Sequence, residues 1–230
     1  MAEPLIVTID GPAGVGKTSL ARMVAQALDV AYLDTGAMFR VTALKLGENS
    51  WELPGPKLAS KLAALTFGLE GAGEDSVLLC DGHPVGEEIR TEQVGLWASN
   101  LARRAEVREY QKAAQRAMAL RTPLVAEGRD MGSVIFPRAK RKFFLDADPA
   151  VRARRRADQL LAAGQDADLE AIEAAIRLRD DQDRNRPIAP LAPAPDAVVL
   201  DTSELTLHQV FQRIMEVVWS PRAQAATGRA

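Results

Sequence analysis

The chain has 230 residues, enough for one domain with insertions and for a substantial hydrophobic core. Hydrophobic residues make up 47% and charged residues 26%, so the composition excludes a disordered or collagen-like chain. The 29 basic and 31 acidic side chains give a formal charge of −2, and no overall positive field attracts nucleic acid or an anionic membrane.

Five short apolar runs predict the strands of one sheet. The runs cover residues 5–9, 31–33, 124–126, 142–145 and 197–200. They are continuous rather than alternating, which is typical of strands buried on both faces of a parallel sheet, and amphipathic helical stretches separate them. We therefore predict an α/β fold with a doubly wound, five-stranded parallel sheet.

Acids follow the runs, and we single out four of them. They are Asp10, Asp34, Glu127 and Asp146. In sheets of this kind, ligands bind at the carboxyl ends of the strands, so these acids mark a predicted ligand edge. Capping of the strand ends and of the following helices explains any one of them equally well.

The second and third runs lie too far apart in the sequence for a simple crossover. Residues 35–123 separate them, whereas a βαβ unit needs only about 30 residues in total. Within this stretch, residues 66–70 and 77–81 flank a glycine-containing turn and predict a small antiparallel hairpin. The helices predicted around it cover 56–65, 91–104 and 105–121. We predict an inserted lobe over 35–121, lying over the sheet edge of a single domain that spans 1–230.

Cysteine usage and the N-terminal residues predict the compartment. Cys80 is the single cysteine and cannot form an internal disulfide, and two histidines are too few for a zinc site built from Cys and His. Glu3 stands where a secretion signal requires positive charge, and no apolar run approaches the roughly 20 residues of a membrane span. We expect a cytoplasmic protein with no membrane or nucleic-acid partner, and a frayed tail over 224–230.

The first run leads into a glycine-rich loop and a helix predicted over 17–28. The loop sequence, GPAGVGKT, matches the phosphate-binding pattern G-x-x-x-x-G-K-[ST]. Its glycines let backbone N–H groups wrap a phosphate at the positive end of the helix; Lys17 reaches the outer phosphates, and the Thr18 hydroxyl suits magnesium. We assign ATP with Mg²⁺ to this loop. The assigned residues are Gly11, Pro12, Ala13, Gly14, Val15, Gly16, Lys17, Thr18 and Ser19.

Arginines separate this chain from other phosphate-loop proteins. The chain lacks the Asn/Thr-Lys-x-Asp motif with which GTPases read their base. The run before Glu127 is only a partial version of the Walker B strand expected of an oligomeric motor, in which an apolar run ends in an acid. Four arginines within 152–156 open a helix that Asp148 starts and Gly164 ends. Beside a phosphate loop they predict a mobile lid over 152–168, although a solvated basic face is the alternative.

A second cluster spaces Arg179, Asp183 and Arg186 at i, i+4 and i+7. This spacing predicts one helical face that carries guanidinium, carboxylate and guanidinium groups together. A salt-bridge ladder within the helix is the alternative explanation.

Taken together, these motifs resemble those of bacterial cytidylate kinases. The segments that carry the resemblance are residues 9–18, 33–40, 87–94, 127–132, 142–147 and 179–186. The resemblance implies a nucleoside monophosphate kinase, acting as a monomer, that transfers the γ-phosphoryl group of ATP to CMP and dCMP. The residues themselves leave two alternatives open. One is a kinase for another small acceptor (UMP, AMP or shikimate), and the other is a phosphate-loop ATPase that needs a partner.

The resemblance also implies the role of each candidate residue. The phosphates of ATP would contact Lys17 and the lid residues Arg155 and Arg156. The phosphate of CMP would contact Arg40, Arg129 and Arg179, and the sugar hydroxyls would contact Asp183. The cytosine ring would contact Ser99, Arg108, Asp130 and Arg186. Thr35 and Phe39 would line the acceptor pocket, where the family usually has serine and often has tyrosine. The implied catalytic residues are Lys17, Arg129, Arg155 and Arg179.

The chemistry of cytosine agrees with this assignment. Its exocyclic amine is a donor that needs an acceptor such as Asp130 or Ser99. Its N3 and O2 atoms accept hydrogen bonds and need donors such as Arg108 and Arg186, whereas uracil reverses the first two of these groups.

Overall fold

A computed structural model describes residues 4–220, so the tail predicted over 224–230 lies outside the described residues. The strands are β1 Ile6–Asp10, β2 Ala31–Asp34, β3 Phe67–Glu70, β4 Val77–Cys80, β5 His83–Pro84, β6 Leu124–Gly128, β7 Arg141–Asp146 and β8 Val198–Asp201. The helices are α1 Lys17–Leu28, α2 Thr35–Leu46, α3 Gly55–Ala63, α4 Glu92–Leu101, α5 Ala105–Ala119, α6 Pro149–Ala162, α7 Leu169–Arg184 and α8 Leu207–Val218. No helix within 4–220 is both long enough and apolar enough to cross a membrane.

Five of these strands form a parallel sheet in the order β2-β6-β1-β7-β8. In the β2–β6 pair Asp34 lies opposite Glu127, and in the β7–β8 pair Asp146 lies opposite Asp201. These registers bring acids together at the carboxyl ends of paired strands. The predicted α/β fold with a five-stranded parallel sheet is confirmed.

The remaining strands form a small antiparallel sheet in the order β3-β4-β5. Phe67 lies opposite Cys80, which confirms the predicted hairpin. Strand β5 was not among the predicted elements, because a strand of two residues, His83 and Pro84, is too short to show an alternating pattern.

The described residues divide into two compact units. The first comprises residues 4–6 and 25–127 and holds β2, β6, the small sheet and helices α2 to α5. Two hydrophobic clusters form its core, one containing Leu58 and Leu101 and the other Val41 and Ile89. The predicted lobe over 35–121 falls within this unit, and its boundaries remain a prediction.

The second unit comprises residues 7–24 and 128–220. It holds most of β1 and of α1, strands β7 and β8, and helices α6, α7 and α8. Ile9, Leu20, Phe143 and Ile214 are fully buried in its core. Helix α1 covers the residues that the amphipathic pattern predicts.

Helix ends in the second unit confirm one prediction and correct another. Helix α6 begins at Pro149 because the Asp148 side chain accepts from the Ala150 N–H at 2.7 Å, as predicted. Helix α7 ends at Arg184, so the predicted helical face that includes Arg186 is wrong. Arg186 precedes Pro187, and the proline ring disfavours helical backbone at the preceding residue.

Helix α2 was not among the predicted elements. Its start is capped by the Asp34 carboxylate, which accepts from the Ala37 N–H at 2.9 Å. Most of its first ten residues are buried, among them Met38 and Thr42, so no polar stripe marks it as an amphipathic helix.

Candidate active site

The phosphate loop connects β1 to α1 in the second unit. Gly11, Gly14 and Gly16 have φ angles of +152°, +76° and +90°, which favour glycine. A Cβ atom on Gly11 would lie 2.2 Å from the Leu145 carbonyl oxygen, so no other residue fits there. Lys17 is buried and its Nζ donates to the Pro12 carbonyl at 2.6 Å. The loop therefore combines backbone N–H groups at a helix N-terminus with an ammonium group held beside them, an arrangement suited to phosphate.

Arg152, the first residue of the predicted lid, is buried and fully engaged. Only 1% of it is exposed, and its guanidinium pairs with the Asp180 carboxylate of α7. Its Nε donates to the Ala147 carbonyl at 2.9 Å and its Nη1 to the Ala13 carbonyl at 3.0 Å. Arg152 thus connects the phosphate loop to α6 and α7 within the second unit, rather than standing free to reach a ligand.

The two lid arginines assigned to ATP differ in exposure. Arg156 is exposed, whereas Arg155 is half-buried and its Nη2 donates to the Thr202 carbonyl at 2.6 Å. The assignment of both residues to the phosphates of ATP remains a prediction.

Four predicted site residues form one connected group, which we call the arginine–aspartate network: Arg129, Asp130, Asp183 and Arg186. Arg129 Nε donates to Asp183 Oδ2 at 2.8 Å, and Arg186 Nη2 donates to Asp130 Oδ1 at 3.3 Å. Arg186 Nη1 lies 3.9 Å from Asp183 Oδ1, which joins the two pairs. Positive and negative groups therefore alternate along the network. Because Asp183 pairs with Arg129, 54 positions away, a ladder confined to one helix does not describe this segment.

The network keeps Asp183 ionised. Burial raises the pKa of this carboxyl, but the charges of Arg129, Arg179 and Arg186 outweigh it, so the net pKa lies below its usual range. Arg179 itself is exposed, one helical turn before Asp183. The carboxylate is consequently an acceptor-only group near neutral pH.

Asp10 ends β1 immediately before the phosphate loop and accepts two backbone hydrogen bonds. The Met131 N–H reaches Oδ1 and the Gly132 N–H reaches Oδ2, each at 2.8 Å. Burial raises the pKa of Asp10 to about 6, even though these two hydrogen bonds and the charge of Lys17 lower it.

In the first unit, the carboxyl end of β6 carries a polar cluster around Glu127. The Tyr32 hydroxyl donates to Glu127 Oε1, and Thr35 Oγ1 donates to the Glu127 carbonyl at 2.6 Å. Asp34 accepts from Arg90 Nη2 at 3.1 Å. Because the only hydroxyl hydrogen of Thr35 is used in this bond, Thr35 offers acceptor lone pairs alone to a ligand.

The other predicted residues of the first unit lie on α2, α4 and α5. Arg40 Nη1 donates to the Ile89 carbonyl at 3.0 Å, and burial followed by the charge of Arg90 lowers the pKa of Arg40. The guanidinium carbon of Arg108 lies 6.0 Å from the centroid of the Phe39 ring, within range of a cation–π contact. Ser99 is exposed on α4.

Sequence reasoning missed several residues that hold this machinery in place. No motif singled out Tyr32 or Asp180, and Arg152 was predicted in the lid. All three gain their importance from partners distant in the sequence. Asp10 carried one signal, an acid between a buried strand and a phosphate loop, but nothing in the sequence indicates its bonds to Met131 and Gly132.

Comparison with known proteins identifies the family. The family model described as cytidylate kinase matches residues 7–220. The chain belongs to the cytidylate kinase family.

Its relatives match over nearly their full length. The chain is 54% identical over 215 residues to a cytidylate kinase of Maridesulfovibrio salexigens, covering 94% of this chain and 96% of the relative. It is 42% identical over 221 residues to a cytidylate kinase of Lawsonia intracellularis, covering 96% and 98%. A solved shikimate kinase from Bacteroides thetaiotaomicron is 16% identical in sequence and superposes with a TM-score of 0.48. The superposition covers 93% of this chain and 98% of the shikimate kinase chain.

Family membership confirms the predicted enzyme class. The family is one of kinases, so the chain is a phosphotransferase. The roles of individual site residues, the metal and the range of acceptors follow as proposals.

Proposed function

We propose that this chain transfers the γ-phosphoryl group of ATP to CMP, and to dCMP, giving ADP and CDP or dCDP. The arginine–aspartate network carries the proposal. A nucleoside monophosphate needs guanidinium groups for its phosphate and acceptors for the donor groups of its base and sugar, and the network supplies both.

ATP is assigned to the phosphate loop. Its phosphates would be cradled by the N–H groups of residues 11–18, with Lys17 neutralising the charge that develops as the γ-phosphoryl group leaves. Thr18 is exposed in the first turn of α1, where its hydroxyl is available to a metal ion that accompanies ATP.

The residues fit Mg²⁺ that arrives with ATP. Such an ion keeps several waters and takes most of its other ligands from substrate phosphates. Among residues 4–220 there is no group of three or more His, Cys, Asp or Glu side chains suited to holding a metal alone. When bound, the ion would neutralise phosphate charge, and the Thr18 hydroxyl would hold it.

The phosphate of CMP is assigned to Arg40, Arg129 and Arg179. Guanidinium groups hold phosphate oxygens through paired hydrogen bonds, which fix the direction of the attacking oxygen as well as its charge. That oxygen is already ionised near neutral pH, so no general base is required. The chain's contribution is to align the two phosphates and to neutralise the transferring group.

The cytosine ring is assigned to Ser99, Arg108, Asp130 and Arg186. The Asp130 carboxylate would accept from the exocyclic amine, while the two arginines donate toward N3 and O2. The uracil carbonyl would meet Asp130 acceptor to acceptor, with no proton to share, so UMP should bind poorly.

The sugar is assigned to Asp183, and the resemblance assigns Thr35 and Phe39 to the acceptor CMP. Ionised Asp183 accepts from ribose hydroxyls, and Thr35 adds acceptor lone pairs. Since dCMP keeps the 3′-hydroxyl, it retains part of this binding.

Residues 152–168 are assigned to a lid that brings Arg155 and Arg156 to the transferring phosphoryl group. Bound phosphates would neutralise these arginines and favour closure. Hydrogen exchange across 152–168 should slow when ATP and CMP are both bound, and unchanged exchange would remove the lid assignment.

We further propose that the enzyme is a cytoplasmic monomer of pyrimidine nucleotide metabolism with no nucleic-acid or membrane partner. The resemblance to bacterial cytidylate kinases supports this setting, and a formal charge of −2 provides no general attraction to polyanions.

One assay tests the proposed activity. ADP release is measured with ATP, Mg²⁺ and, in turn, CMP, dCMP, UMP, AMP and shikimate. Release stimulated most by CMP and next by dCMP is expected. Stimulation mainly by another acceptor, or no stimulation by any of them, would contradict the proposal.

A further inference from the structure

The carboxylate of Asp10 is matched to two successive backbone N–H groups. Asp10 is only 4% exposed, and its two oxygens each accept one hydrogen bond at 2.8 Å, from Met131 and from Gly132. These two residues open a single π-helical turn, Met131–Ile135. Of the side chains of this length, only an ionised carboxylate offers an acceptor to both N–H groups, because asparagine would turn a donor toward one of them.

The same segment is held closely at Gly132. A Cβ atom added there would lie 2.9 Å from Thr8 Oγ1, 3.2 Å from Lys142 Cδ and 3.4 Å from Asp10 Oδ2. Gly132 therefore allows the backbone to approach β1 closely enough for the Asp10 hydrogen bonds to form.

The residues directly before this segment are those assigned to CMP. Arg129 and Asp130 immediately precede Met131, and they make the side-chain pairs with Asp183 and Arg186. A shift of the Met131 backbone away from β1 would move the attachment points of both side chains.

The two hydrogen bonds of the Asp10 side chain come from residues 131–132 and not from the phosphate loop that Asp10 precedes. Lys17 Nζ donates to the Pro12 carbonyl, and the Asp10 oxygens accept from Met131 and Gly132. Keeping a carboxylate buried here has a cost, since burial raises the pKa of Asp10 to about 6. A purely space-filling role would be served better by a neutral side chain.

We propose that Asp10 is a positioning residue for the acceptor: its carboxylate fixes residues 131–132 against β1 and so holds Arg129 and Asp130 in the geometry that binds CMP. The inference rests on the proposed function, which assigns those two residues to CMP.

The test compares Asp10→Asn with the matched variant Thr8→Val. Asparagine keeps the shape of the side chain but loses one of the two hydrogen bonds, so KM for CMP should rise about tenfold or more. KM for ATP and kcat at saturating CMP should change less than roughly threefold, because binding of ATP is not carried by this segment. Thr8 is 0% exposed on the same strand, and its hydroxyl has no hydrogen-bond partner among residues 4–220. Thr8→Val should therefore leave both KM values unchanged.

A second variant guards against misfolding of the first. Gly132→Ala places a methyl group against Thr8 Oγ1 and displaces the same segment, so it should also raise KM for CMP selectively. If either folded variant raises the KM values for CMP and ATP equally, or raises neither, the inference is overturned. If the wild-type enzyme itself fails to phosphorylate CMP, the proposed function falls instead.

Discussion

The phosphate loop and the arginine–aspartate network are built in different ways. The loop is built from consecutive residues, and its shape is set by backbone angles such as those of Gly14 and Gly16. The network takes Arg129 and Asp130 from one part of the chain and Asp183 and Arg186 from another, and its shape rests on side-chain pairs. The loop therefore depends on its glycines, which allow these backbone angles, whereas the network depends on the side chain of each member.

The loop contains one side chain whose loss should be more harmful than any change in the network. Replacing Lys17 by alanine removes the ammonium group assigned to the γ-phosphoryl transfer, so kcat should fall by roughly a thousandfold or more. The melting temperature should stay close to that of wild type, because Lys17 lies at the phosphate loop and its Nζ atom bonds a loop carbonyl. Lys45→Ala removes an exposed lysine as a control. Rates close to wild type for Lys17→Ala would show that the loop does not bind the donor.

The connection between the loop and α7 should be the most important for stability. Asp180→Asn leaves the buried Arg152 guanidinium without its carboxylate, and the free energy of unfolding should fall by about 3 kcal/mol. Glu173→Gln breaks an exposed pair with Arg177 on the same helix and should cost less than about 0.5 kcal/mol. Urea denaturation measures both variants. Equal losses would mean that burial of the Arg152 pair contributes nothing.

Within the network, Asp183 should affect the ribose nucleotide more than the deoxyribose nucleotide. Asp183→Asn weakens the acceptor for sugar hydroxyls and the pair with Arg129, so kcat/KM for CMP should fall about tenfold to a hundredfold. The fall for dCMP should be smaller, because dCMP lacks one of the hydroxyls. Asp181→Asn changes an exposed neighbour and serves as the control. An identical fall for both substrates would argue against sugar binding by Asp183.

The smallest expected effect concerns the pH dependence of stability. Asp10 titrates at about 6 in the folded protein, above its ordinary value of 3.8, so the folded state binds the proton more tightly than the unfolded chain. The contribution of Asp10 to stability is therefore complete below pH 3.8 and is lost as the pH rises through 6. Between about pH 5 and 7.5, wild type should lose roughly 1 kcal/mol relative to Asp10→Asn. Parallel stability curves for the two proteins would contradict the raised pKa.

The same contrast explains how much the sequence could predict. The loop and α1 follow from a local pattern, and the five strands follow from continuous apolar runs. Helix α2 escaped prediction because burial on several sides removes the amphipathic pattern.

The partners of the network lay beyond sequence reasoning for a physical reason. Arg129 and Asp183 are 54 positions apart, and no periodicity reports which carboxylate a guanidinium will meet after folding. The same holds for Arg152, whose sequence setting predicts an exposed lid arginine and whose folded setting is a buried pair with Asp180. The resemblance to a known family supplied residue roles that spacing alone left open.

The central claim is that this chain selects CMP through Asp130. The most direct test is the ratio of kcat/KM for CMP over UMP in wild type and in Asp130→Asn. Asparagine keeps the shape and adds a donor, so the ratio should fall by about thirtyfold or more, chiefly through the loss of CMP efficiency. An unchanged ratio, even with both rates lowered, would contradict the claim and leave base selection to Ser99, Arg108 and Arg186.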